Sequence, residues 1–348
     1  MHFAQTLASR YNLEMAKRAS RHRHLLACIF ALLFASPAMA WIDTGHRIIA
    51  FAAWEELTPA TKAKVGAILK QHPRYREDLL LGMPEATSED DAVRYAFATA
   101  ATWPDVVRSQ GHPMHNVANH PVWHYIDIPF NPEGQPMPAT RAASGPGPAN
   151  AVEALGKSAD DLKSETLAGP DKAAALCWVL HLGGDIHQPL HACTLYSRQF
   201  PTGDAGGNGL IVLRDPPYPD SRRNLHLLWD ELLGSYKSDA MCRYVAAGLR
   251  SDPKLSREAF MDALQIKDPA GWAQESHEIA VEHVYLKGKL VGVAAREQRD
   301  NPDLVVPGVP RGYIKNAEQV AARRAVLAAY RIADILNSTF DPPVGSKR

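Results

Sequence analysis

One stretch limits what this chain can fold into more than any other: Leu180-His181-Leu182-Gly183-Gly184-Asp185-Ile186-His187-Gln188-Pro189-Leu190-His191. It closes an apolar run, Ala173-Ala174-Ala175-Leu176-Cys177-Trp178-Val179-Leu180, that reads as helix. If the helix continues through Gly184, His181 and Asp185 sit one turn apart on a shared face, with about 6 Å of rise between them. Pro189 cannot sit comfortably inside a helix, so the chain turns there and swings His191 back. Imidazole, carboxylate and imidazole on an apolar segment are costly to bury unless they are paired or hold a metal. The stretch therefore predicts a metal site in a helical protein.

The rest of the sequence supplies matching donors. His226 and Asp230 repeat the i, i+4 geometry of His181 and Asp185, again in a helical pattern. Asp105 and His124 each lie near or beside a tryptophan, in short segments that look half-buried, and His46 lies near the expected mature N-terminus at Trp41. A free α-amine and its own carbonyl oxygen can chelate a metal, so Trp41 joins the candidates. The set offers about ten donor atoms, whereas one zinc ion takes about four ligands. Two or three ions fit such a set, and a bridging carboxylate would link them. His72, His112, His115, His120 and His277 read as ordinary core or surface residues. His187 falls off the His181/Asp185 face and reads as supporting structure.

The N-terminus is expected to be separable. Lys17, Arg18, Arg21 and Arg23 precede an apolar run from Leu25 to Ala35, followed by Ser36-Pro37-Ala38-Met39-Ala40. That order is the signature of a signal peptide over residues 1–40, cleaved after Ala40, and it predicts a secreted or periplasmic protein. No later segment is long and apolar enough to anchor the mature chain in a membrane. The mature chain, residues 41–348, would carry 33 basic and 37 acidic side chains. No polybasic field is present to hold nucleic acid by bulk charge, so an anionic substrate would need cations or a few arginines locally. Three mature cysteines, Cys177, Cys193 and Cys242, leave two readings open: one disulfide, or three buried thiols.

Helical patterns dominate the mature chain. They cover Arg47–Trp54, a segment opened by Thr58-Pro59, another capped at Ser88 and running toward Ala101, Ala151–Leu167, the central run from Pro170, and about Lys315–Asn337. Residues 131–150, rich in proline, glycine and alanine, read as a mobile surface loop. Gly206-Gly207-Asn208-Gly209 followed by Leu210-Ile211-Val212-Leu213 is the one convincing strand, placed in a small hairpin. The expectation is an all-α fold: a single domain over residues 41–348 with one small β-hairpin, and a monomer.

Taken together, these motifs resemble the secreted zinc-dependent single-strand nucleases of the S-one/P-one type, relatives of the zinc phospholipases C. The resemblance rests on Trp41 with Gly45-His46, on Ala101-Thr102-Trp103-Pro104-Asp105-Val106-Val107-Arg108, and on Trp123-His124-Tyr125-Ile126-Asp127. It continues through His181–His191, Gly206-Gly207-Asn208, His226-Leu227-Leu228-Trp229-Asp230, and weaker matches at Trp272–Ser276 and Arg331–Asn337. It implies three zinc ions. Asp105, His124, His181 and Asp185 would hold one; Trp41, His46 and a bridging Asp185 a second; His191, His226 and Asp230 a third. It further implies hydrolysis of single-stranded RNA or DNA to 5′-nucleotides, with 3′-nucleotidase activity left open. Asp127 would orient the attacking water, Arg108 would neutralise charge building on phosphorus, and Tyr125 would stack an unpaired base. The segment from His191 to Gly206 is longer than in the fungal members, which leaves base preference open.

Two other readings compete. The resemblance to zinc-dependent phospholipase C is countered by the short spacing from Trp41 to His46 and by aspartate at position 230. A non-catalytic secreted protein stabilised by zinc is countered by the absence of cysteine from every candidate ligand position, since structural zinc sites are closed and usually cysteine-rich.

Overall fold

Polar caps set the ends of the first helices. In the computed structural model, which describes residues 41–85, 87–138 and 147–342, α1 (Asp43–Glu56) stops at an extended Leu57. The Thr58 hydroxyl accepts the Thr61 N–H and opens α2 (Pro59–Leu69), with proline in its first turn where no donor is needed. Ser88 does the same for α3 (Glu89–Ala100) by accepting the Asp91 N–H. Asn150 caps α4 (Ala151–Lys163), which ends before the expected Leu167 because Ser164 is extended.

The organising element is α5 (Gly169–Asp185), in which every residue from Leu176 to Asp185 is buried. A helix buried on all faces must be enclosed, and α1, α2, α3, α4 and the C-terminal helix all contact it. Its two late glycines make the enclosure possible. A Cβ on Gly183 would lie 2.5 Å from Ile332 Cγ1, and one on Gly184 would lie 3.0 Å from His46 Nδ1. These positions let two neighbouring helices close onto the end that carries His181 and Asp185. Pro189 then opens a 3₁₀ turn, Pro189–Ala192, which returns His191 to the same region.

The C-terminal half contributes α6 (Leu225–Asp230), α7 (Asp239–Ser251), α8 (Pro269–Ile279), α9 (Ala295–Asp300) and α10 (Tyr313–Phe340). A buried ion network locks α8 and α10 to the central stretch. Arg331 binds Glu275 through two nitrogens, at 2.7 and 2.8 Å, and also meets His187 Nε2 at 2.9 Å. Arg324 bonds Glu275 at 2.9 Å and the His187 carbonyl at 3.2 Å. His187 is thus structural: burial and the two guanidinium groups hold its imidazole well below its ordinary pKa, in the neutral form that accepts from Arg331.

The strand content exceeds the expected hairpin. β3 (Leu210–Leu213) pairs antiparallel with β4 (Arg222–Asn224), forming that hairpin, and also with β5 (Val293–Ala294) on its other edge. A separate parallel pair joins β1 (Pro129–Phe130) to β2 (Thr194–Leu195). Strands of two residues are too short to show an alternating pattern, so the sequence carried no signal for them. No helix among the described residues is long and apolar enough to cross a membrane. Cys177, Cys193 and Cys242 are buried free thiols. The signal-peptide reading falls on residues 1–40, and the middle of the expected mobile loop on 139–146, both outside the described residues.

Candidate metal centre

Helix and turn geometry converge eight of the nine predicted ligands through their side chains. They form three groups: His46, His181 and Asp185; Asp105, His124 and His181; and His191, His226 and Asp230, the ligand atoms within each lying within 4.8 Å of one another. All eight residues are buried. His181 belongs to two groups, whereas the sequence reading used only Asp185 as a bridge. The reason is packing: the His46 and His181 rings stack with centroids 4.1 Å apart, so both face Asp185. The ninth candidate, Trp41, is fully buried, and its indole N–H donates to the Gly184 carbonyl at 3.2 Å, one residue before Asp185.

Backbone carbonyls fix the imidazoles. Nδ1–H of His181 donates to the Ala101 carbonyl at 2.7 Å, that of His191 to the His124 carbonyl at 2.6 Å, and that of His226 to the Gly206 carbonyl at 2.7 Å. Each bond directs Nε2 into the site, the arrangement by which outer hydrogen bonds orient metal-binding histidines. Gly206 earns its place here, since a Cβ on it would lie 2.6 Å from the Leu190 carbonyl and its φ is +61°. On the Asp105 side, the preceding turn is braced by the Trp103 indole N–H, which donates to Asp78 Oδ2 at 3.0 Å.

The donor set fits zinc. Tetrahedral ligands about 2.0–2.1 Å from zinc stand roughly 3.3–3.4 Å from one another. His46 Nε2 lies 3.2 Å from Asp185 Oδ1, and His181 Nε2 lies 3.1 Å from Asp185 Oδ2. His191 and His226 bring their Nε2 atoms to 3.1 Å, and His226 Nε2 stands 3.5 Å from Asp230 Oδ2. Five buried polar atoms in this set find no hydrogen-bond partner among the described residues: both His46 ring nitrogens, Asp105 Oδ2, His124 Nε2 and Asp185 Oδ1. The 3.2 Å approach between His46 and Asp185 is close but misaligned for a hydrogen bond. Leaving such atoms unsatisfied costs about 1–3 kcal/mol each, a cost that ion coordination removes for those atoms that face the ion.

The electrostatics agree. Burial pushes Asp185 up, but the His181 and His191 imidazoles hold it well below the usual carboxylate range. Burial would depress His181, yet the carboxylates of Asp185 and Asp105 lift it to about 9. Burial, helped by the nearby carboxylates of Asp185, Asp105 and Glu231 and opposed by the Gln188 hydrogen bond, keeps Asp230 well above the ordinary range.

The three non-ligand candidates sit beside the ligands. Arg108 Nη1 reaches Asp105 Oδ1 at 3.2 Å. Tyr125 follows His124 and is 37% exposed, enough for one ring face to be reached. Asp127 is exposed and accepts from Thr194 Oγ1 at 2.5 Å. Burial raises the Tyr125 phenol pKa, Asp127 adds to the rise and Arg108 opposes it, so the three share one neighbourhood. Thr194 and Gln188 escaped the sequence reading; Gln188 lay inside the central motif and donates to Asp230.

The S1/P1 Nuclease family model matches residues 41–341, essentially the whole described chain. The chain belongs to the S1/P1 nuclease family. It is 26% identical to Nuclease S1 of Aspergillus oryzae over 263 residues, 71% of this chain and 77% of that protein. It is also 26% identical to Endonuclease 5 of Arabidopsis thaliana over 187 residues, 51% of this chain and 54% of that one. As an S1/P1 nuclease with a mostly helical fold, this chain is a hydrolase acting on nucleic acid, and its three His/Asp groups could each hold a metal ion.

Proposed function

We propose that this S1/P1 nuclease hydrolyses single-stranded RNA and DNA to 5′-nucleotides with three zinc ions. The observation that supports it is the run of three adjoining, buried, cysteine-free His/Asp groups. Asp105, His124, His181 and Asp185 would hold one ion; His46 and Asp185, with the Trp41 amine and carbonyl, a second; and His191, His226 and Asp230 a third. Bound zinc supplies a Lewis acid and brings the pKa of a coordinated water near 7.

The chain's own groups do the rest. Asp127, steadied by Thr194, accepts a proton from the attacking water and aims it at phosphorus. Arg108, anchored on Asp105, neutralises charge as it builds on the phosphoryl oxygens. Tyr125 stacks an unpaired base, which selects single strands without a basic groove. Removal of residues 1–40 during secretion to the periplasm or medium would free the Trp41 amine, and the enzyme would act as a monomer.

The deciding experiment measures zinc per chain in protein beginning at Trp41, alongside hydrolysis of single-stranded DNA, RNA, 3′-nucleotides and phosphatidylcholine. Three zinc ions with nucleic-acid cleavage support the reading. Preferential hydrolysis of phosphatidylcholine would replace it with a phospholipase, and full zinc with no phosphate ester cleaved would leave a zinc-stabilised scaffold.

A further inference from the structure

Gln188 is fully buried between two ligand-bearing turns. Its side chain makes two short contacts of opposite sense. Nε2 donates to Asp230 Oδ1 at 2.6 Å, and Oε1 accepts the Leu190 N–H at 2.6 Å. The second bond fixes the first: with oxygen turned toward the Leu190 amide, the amide nitrogen must face the carboxylate. The backbone of Gln188 is tied as well, its N–H to the Asp185 carbonyl at 2.9 Å and its carbonyl to the His191 N–H at 3.0 Å. One Asp230 oxygen is therefore occupied, while Oδ2 stands 3.5 Å from His226 Nε2.

We infer that Gln188 is a positioning residue for the third ion, capping Asp230 Oδ1 so that the carboxylate presents Oδ2 as a single, directed ligand toward His191 and His226. The inference rests on the three-zinc reading above. A leucine or methionine of similar size would supply no donor, and Asp230 could then rotate or bind through both oxygens. Hydrogen-bond partners of metal ligands typically change metal affinity by about 10–100-fold when removed.

The test compares wild type, Gln188→Met, Asp230→Asn and the double variant by zinc content per chain across a series of buffered zinc concentrations, with circular dichroism of each metal-free chain. Gln188→Met is expected to fill two zinc sites as wild type does and to weaken the third about 10–100-fold. In the Asp230→Asn background the same substitution should add nothing, because asparagine has no second carboxylate oxygen for Gln188 to direct at the ion. Gln188→Asn keeps the amide but shortens its reach. It is expected to weaken the same ion alone, and it serves if the methionine variant does not fold. Wild-type affinity at all three sites, equal weakening of all three, or full additivity with Asp230→Asn would overturn the inference. A wild-type chain that never reaches three zinc ions would instead overturn the three-zinc reading, and it would do so before any substitution is made.

Discussion

Gly183 and Gly184 are adjacent in one helix, yet replacing each by alanine should damage different properties. In an exposed helix interior, glycine to alanine gains about 0.8–1.0 kcal/mol. At Gly183 the new Cβ would lie 2.5 Å from Ile332 Cγ1 and 2.9 Å from Cδ1, core contacts that force α10 outward. Overpacking of this kind costs about 1–3 kcal/mol, so the net change is a loss of up to roughly 2 kcal/mol. At Gly184 the nearest atoms are His46 Nδ1 at 3.0 Å and Cε1 at 3.2 Å, so a ring shift of a few tenths of an ångström relieves the contact. The fold tolerates that shift, but metal–ligand distances tolerate only about 0.2 Å. Gly184→Ala should keep or slightly raise the Tm of the metal-free chain while zinc affinity falls by about tenfold or more. Gly183→Ala should lower Tm and bind its zinc. Thermal unfolding in chelator, zinc content and single-strand cleavage report the two effects separately. A Gly184→Ala protein with full zinc affinity and undiminished cleavage would refute the argument, as would a Gly183→Ala protein that loses metal to the same degree.

Tyr125→Ala should raise KM for single-stranded DNA by the equivalent of about 1–3 kcal/mol of lost stacking while zinc content stays unchanged, which steady-state kinetics with metal analysis would check. His181, lifted to about 9, has a folded pKa above its unfolded value, so its stabilisation of the metal-free chain is complete below pH 6.5 and is lost as pH rises through about 9. Zinc must displace that proton, so zinc affinity should climb over the same window, and titrations at pH 6, 7.5 and 9 would show it. Burial raises Asp204 to about 6, while its oxygens accept from Tyr285 and the Leu195 N–H. Its favourable contribution is therefore full below about pH 4 and lost as pH rises through 6. Metal-free Asp204→Asn should gain stability relative to wild type between pH 4.5 and 7 in urea unfolding. A chain carrying one extra residue before Trp41 should bind less zinc and lose most of its cleavage; equal zinc and cleavage would remove Trp41 from the ligand set.

Much of this was legible from spacing and end signals. The i, i+4 pairs His181/Asp185 and His226/Asp230, the caps at Thr58 and Ser88, and the turn at Pro189 are local rules, and local rules survive folding. The illegible parts depend on distant segments meeting. The stacking of His46 on His181 joins residues far apart in the chain, and no periodicity encodes it. The partners of His181, His191 and His226 are carbonyls, which every residue possesses and no sequence advertises. β1 and β2, two residues each, are strands only because Ile128 and Phe130 carbonyls find the Thr194 and Tyr196 amides.

Those carbonyl partners have an evolutionary consequence. Point substitution at Ala101, His124 or Gly206 alters a side chain but leaves the main-chain oxygen that selects each imidazole tautomer. Mutation therefore cannot delete this control directly; it can only displace it, by an insertion, a deletion or a misfit that moves the peptide. A change in loop length beside any of the three oxygens should therefore be more damaging than a substitution at the residue that carries it.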